Sequence, residues 1–141
     1  MDANKTYNTD GRDLASKVSE LTANGITDVV VKVKTFNFQR YEQLYPGEEL
    51  KNVIDGINAA TDAKLHVTFH VEIKEGYNEA EILDFLQLTF QHKYDIVFMP
   101  TISYDFLKSK MPALRKIDGD FDGVEMYKYP SALGRIGFVI D

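Results

Sequence analysis

Two stretches of the chain alternate between apolar and polar residues with a period of two. In LHVTFHVEI, Leu65 to Ile73, the residues Val67, Phe69, Val71 and Ile73 point one way, while His66, Thr68, His70 and Glu72 point the other. ITDVVVKVKTF, Ile26 to Phe36, repeats the pattern with Lys32 and Lys34 set against Val31 and Val33. A period of two is that of a strand with one face on a core and the other toward water. YDIVFMP, Tyr94 to Pro100, is instead a continuous apolar run, which suits a central strand covered on both faces. Near the C-terminus, GVEMYKYP and GRIGFVID read as two strands with a short connection, an antiparallel hairpin.

Helical spacing fills the intervals. Leu14, Val18 and Leu21 recur after Asp10 and Asp13, and Asn24-Gly25 supplies a left-handed stop. A second helix starts near Pro46-Gly47 and carries Leu50, Val53, Ile54 and Ile57 on one stripe. Asn78 with Glu81 forms a capping-box-like start for a third, apolar over a wide arc from Ile82 to Phe90, which predicts burial on more than one side. Ser103 caps a fourth helix with Leu107, Met111 and Leu114 inward, and Pro112 is expected to kink or split it.

Strands alternating with helices imply right-handed crossovers and an α/β fold. The expectation is a single α/β domain over residues 1–141, with a polar N-terminal arm at 1–9. Its sheet is mostly parallel and mixed, with about five strands ending in the C-terminal antiparallel hairpin, and about four helices. The two amphipathic strands require one partly open flank of that sheet.

Composition narrows the function classes. At 141 residues, 44% hydrophobic and 12% aromatic, the chain can bury a core of its own. A net charge of -6 argues against general nucleic-acid binding, which needs a basic footprint. No cysteine is present, so thiolate catalysis, disulfides, zinc knuckles and iron–sulfur ligation are excluded for these residues. The polar N-terminus lacks a signal-peptide layout and no apolar run reaches the roughly 18 residues of a membrane span, so no membrane role and a cytoplasmic location are expected.

Three places carry candidate chemistry. On the Leu65 to Ile73 strand, His66 and His70 have Cα atoms about 13 Å apart, too far to share an ion, whereas His70 and Glu72 are about 6.6 Å apart on one face. That pair is a candidate metal site that needs a third ligand, and the competing reading is a solvated strand face. His66-Val67-Thr68 resembles half of a two-histidine phosphoesterase signature, but the second element is missing. In IDGDFDG, Asp118, Asp120 and Asp122 resemble the first half of a calcium loop, yet the closing carboxylate position is Tyr129. The plainer reading there is an exposed turn.

The third place is the rim at the carboxyl ends of the strands, where parallel sheets bind ligands. FNFQRYEQLYPG, Phe36 to Gly47, is long for such a connection and gathers Asn37, Arg40, Tyr41 and Tyr45, with Tyr77 and Tyr104 in neighbouring loops. Tyrosine and arginine are enriched at interface hot spots. No glycine-rich phosphate loop or nucleophile elbow occurs. ANGITDVVVKV is similar to a strand of a barrel enzyme, but 141 residues are too few for eight strands and helices.

These residues lean toward a non-enzymatic accessory or regulatory domain that binds a protein partner through the rim. The alternative is a small metal-binding domain or metal-assisted hydrolase using His70 and Glu72. No cofactor is expected beyond a weakly held Ca²⁺ or a transition metal.

Overall fold

The computed structural model describes residues 5–74, 76, 78–99, 103–119, 121 and 123–140. Its elements run β1 (Thr6–Thr9), α1 (Leu14–Ala23), β2 (Asp28–Val33), α2 (Phe38–Leu44), α3 (Leu50–Asp62), β3 (His66–Val71), a 3₁₀ turn (Glu79–Glu81), α4 (Ile82–Gln91), β4 (Asp95–Phe98), α5 (Tyr104–Ser109), β5 (Arg115–Lys116), β6 (Val124–Lys128) and β7 (Arg135–Val139). The strands form one seven-stranded, mostly parallel mixed sheet in the order β1-β2-β3-β4-β7-β6-β5, and β6 and β7 make the expected antiparallel hairpin. By internal packing the chain divides into residues 1–69 and 70–141.

In the first unit, β1 pairs in parallel with β2, Thr6 opposite Asp28 and Thr9 opposite Val31. This edge strand occupies part of the segment expected to be a polar arm. It is held by backbone pairing rather than by an apolar face, which is why its sequence carries no alternation. On β2, Val29, Val31 and Val33 are buried while Asp28, Val30, Lys32 and Lys34 are half-buried or exposed. The same alternation holds along β3.

Helices α1 and α3 lie together on the valine side. A methyl built on Gly11 would meet both Val53 of α3 and Val31 of β2, which places that helix against that strand face. Both helices end in the same way. Ile26 N–H bonds Leu21 C=O and Gly25 N–H bonds Thr22 C=O after α1; Leu65 to Ala60 and Lys64 to Thr61 repeat this after α3. Gly25 adopts the left-handed φ of 79° that this cap demands, and Lys64 does so at 69° despite its side chain.

The second unit has its apolar centre at β4, whose four residues are all buried as the continuous run predicts. It pairs in parallel with β7. Two expectations change here. Helix α5 stops at Ser109, so Pro112 neither kinks nor splits it; the residue before a proline disfavours helix and the chain turns off first. Helix α4 buries Ile82, Phe85, Leu86 and Thr89 but leaves Leu83 and Phe90 exposed, so its wide apolar arc is covered on one side only.

Asp95 and Arg135 face each other at the start of β4 and β7. Arg135 donates from Nη2 to Oδ2 at 2.7 Å and from Nε to Oδ1 at 3.2 Å, and its backbone N–H donates to Oδ1 at 3.1 Å. The bond to Asp95 raises Arg135 above the ordinary guanidinium range, against the opposing effect of burial. The carboxylate side chain is 6% exposed and the guanidinium 38%.

Three substitutions test this packing. Gly56 lies where α3 meets α1, and a Cβ there would stand 2.8 Å from Leu14 Cβ and 2.9 Å from the Gly11 carbonyl oxygen. Gly56→Ala should therefore lower stability by about 1–3 kcal/mol in urea unfolding, although alanine is the better helix former. An unchanged midpoint would show that the helices can part without cost. Removing one partner of a buried pair costs about 3–5 kcal/mol; because Arg135 is more than a third exposed, about 2–4 is expected for Arg135→Gln. Asp95→Asn should cost less, since the released guanidinium reaches water, whereas Arg135→Gln takes the cation away from a carboxylate side chain only 6% exposed. The reverse order of the two midpoints would contradict this account.

Candidate functional site

The candidate chemistry of the first unit converges where β1 and β2 end. After β1 the chain turns sharply: the Thr9 hydroxyl accepts the Gly11 N–H at 2.9 Å and the Asp10 carboxylate accepts the Arg12 N–H at 3.0 Å. Gly11 takes a φ of 87°, a conformation few side chains tolerate. The turn aims Arg12 at α2. Its Nε donates to the Tyr41 hydroxyl at 3.2 Å, and its guanidinium carbon lies 4.3 Å from the centre of the Tyr45 ring. Asp10 and Glu48 stand 3.6 and 4.0 Å away. Arg12 is raised above its ordinary value, first by the bond to Tyr41, with burial opposing and the electrostatic attraction of Tyr41, Asp10 and Glu48 adding to it.

Helix α2 owes its place to Asn37. Its side chain accepts the Arg40 N–H at 3.0 Å as an N-cap, and its own N–H donates to the Thr35 hydroxyl at 2.9 Å. The cap turns Tyr41 inward. Tyr41 is 6% exposed and packs on Tyr45 with ring centres 4.9 Å apart. Around this knot lies a small cleft lined by Asp10, Arg12, Thr35, Tyr41, Tyr45, Leu50, Val53 and the end of β2 at Lys32, Val33 and Lys34.

The Phe36 to Gly47 segment is therefore not an open binding loop. Of the rim residues, Asn37 is a helix cap, Tyr41 is core and Tyr45 is half-buried under Arg12. Arg40 is half-buried on α2. Tyr104 is a pin of the second unit: its hydroxyl donates to Val139 C=O at 2.8 Å, with Phe98 C=O at 3.3 Å, and its ring packs on Phe138. Tyr77 lies outside the described residues.

Of the metal candidates, His70, Glu72 and Asp118 lie among the described residues. Among the described residues no three His, Asp or Glu side chains converge on a point. His70 is half-buried and Glu72 exposed. The Glu72 carbonyl accepts from Asn78 Nδ2 at 2.9 Å, and the Lys74 N–H donates to Asn78 Oδ1 at 2.7 Å. Asn78 thereby folds the loop after β3, and its side chain does not cap the following helix. His66 has its Nδ1 3.2 Å from the Asp28 carboxylate across β2 and β3. Asp118 is exposed, and Asp120 and Asp122 lie outside the described residues.

Arg12, Lys32, Lys34 and Thr35 are the cleft residues not anticipated as a site. The lysines carried a signal in their alternation, but one that an ordinary wet strand face shares. Arg12 carried none, because its place depends on the turn and on α2.

No protein-family model matches the chain. Among curated proteins it is similar to a GTP 3',8-cyclase from Peptoclostridium acidaminophilum, 29% identical over 152 aligned positions that cover 95% of this chain and 47% of that protein. A GTP 3',8-cyclase from Alkaliphilus metalliredigens is 30% identical over 131 positions, covering 82% and 41%. A GTP 3',8-cyclase 2 from Pseudomonas aeruginosa is 28% identical over 92 positions, covering 64% and 28%. The chain thus spans less than half the length of these relatives.

The relatives are enzymes by name, and this overturns the expectation of a non-enzymatic accessory domain whose role is protein binding. The relatives' name is also not that of a hydrolase, the activity of the alternative reading. The expectation that no cofactor is needed rested on the non-enzymatic reading and is withdrawn on the same finding. The length argument against a barrel enzyme counted these 141 residues alone. No described helix is long and apolar enough to cross a membrane.

Tyr41 separates a core knot from an exposed rim. Tyr41→Phe should cost about 0.5–1.5 kcal/mol by removing the bond to Arg12. Tyr41→Ala should cost about 3–5 kcal/mol by emptying a buried aromatic site. Thermal or urea unfolding measures both, and an alanine variant within about 0.5 kcal/mol of wild type would return Tyr41 to the surface.

Proposed function

We propose that the chain contributes to a cytoplasmic enzyme that acts on GTP, and that residues 1–69 bind the nucleotide at the strand-end cleft. The observation that carries this reading is the similarity to the cyclase from Peptoclostridium acidaminophilum along 95% of the chain. The geometry is in keeping with it. The cleft lies at the carboxyl ends of parallel strands, where sheets of this class take ligands. One of its side chains, Arg12, is a cation held in place by Tyr41 and Tyr45 on a chain of net charge -6. With no glycine-rich phosphate loop, recognition of a nucleotide here falls to side chains rather than to backbone N–H groups.

The test is the unfolding of the 141-residue chain with and without GTP. A ligand of the native state at a hundred times its dissociation constant adds about 2.7 kcal/mol of stability, read as a higher melting temperature. GTP should raise it, and guanosine should raise it less. No shift with millimolar GTP would overturn the proposal.

A further inference from the structure

Helix α4 carries apolar residues on two sides. Ile82, Phe85, Leu86 and Thr89 are buried, but Leu83 and Phe90 are 63% and 40% exposed. These two stand two turns apart and so share one stripe of the helix surface. The turn between β6 and β7 extends that stripe past the helix end. Leu133 N–H and Gly134 N–H both donate to the Thr89 carbonyl at 2.8 Å, which clips the turn to the last turn of α4. Leu133 is 51% exposed there, and the Tyr129 ring packs on Phe90 with centres 5.2 Å apart. Exposed apolar side chains scattered singly are ordinary, whereas an aligned row held by backbone hydrogen bonds marks a contact surface.

The charges beside the row are divided by end. Glu79 and Asp84 stand at the start of the helix, and His92 and Lys93 follow its last residue. Asp84 and Lys93 are exposed, and neither makes an ion pair among the described residues.

We propose that this face binds a second copy of the chain, with the two α4 helices antiparallel about a two-fold axis. A two-fold contact matches a surface with itself, so its charges must be self-complementary. Antiparallel packing meets that condition: Leu83 of each copy lies against Phe90 of the other, and the acidic start of each helix faces the other's Lys93. Parallel packing would set Asp84 against Asp84 and Lys93 against Lys93. A uniformly acidic or basic partner would meet a like charge at one end of the row, which favours a second copy as the occupant. The ten residues of α4 make about 15 Å of helix, so the contact is small and the dimer forms reversibly with concentration.

Sedimentation equilibrium over a range of concentrations tests this on wild type, Leu83→Gln, Asp84→Lys, Lys93→Glu and the double swap. Wild type should associate to a dimer. Leu83→Gln should weaken dimerisation by about tenfold, since one substitution acts on both symmetric contacts. Each single charge swap should weaken it by about three- to tenfold, and the double swap should restore it. Circular dichroism of the variants should match wild type, because every altered side chain is exposed. A monomer at all concentrations would overturn the proposal and leave the row to a different partner. A dimer that Leu83→Gln does not weaken forms through another face and overturns it equally. Single swaps without effect, or a double swap that does not recover, would sink the antiparallel arrangement.

Discussion

The first unit depends on how closely α3 can approach α1. At Gly56 the two helices meet with no side chain between them, and Leu14, the Gly11 carbonyl and the Ala15 amide crowd that point. Close approach lets Val53 reach Val31 and seals one face of β2, so the other face is left to Asp28, Lys32 and Lys34. It also fixes the turn at Gly11, from which Arg12 departs. A bulkier residue at 56 would move the turn, the arginine and the floor of the cleft together. Packing and candidate chemistry share one constraint.

That constraint shows why the strands were legible in the sequence and the cleft was not. Alternation is a local property: Val67, Phe69 and Val71 declare their face whatever lies beyond, and the run at Asp95 to Phe98 declares two covered faces. The hairpin followed from spacing, and its register of Val124 with Val139 and Tyr127 with Ile136 agrees. β1 is a strand only because β2 offers it backbone partners, and TYNT alone carries no such sign. Helix α2 has seven residues and one good cap, too short a pattern to stand out from a loop. Once α2 forms, Tyr41 turns from a candidate hot spot into core and brings Arg12 with it. Reading Tyr41 as an exposed rim residue missed the short helix that turns it inward.

The relatives bear on the polar face in a different way. Similarity near 29% over nearly the whole chain is enough to share a fold, while the activity must be argued from the side chains that the fold leaves accessible. None of these 141 residues can supply a thiolate, so whatever chemistry the chain takes part in must use its carboxylates, imidazoles, hydroxyls and cations.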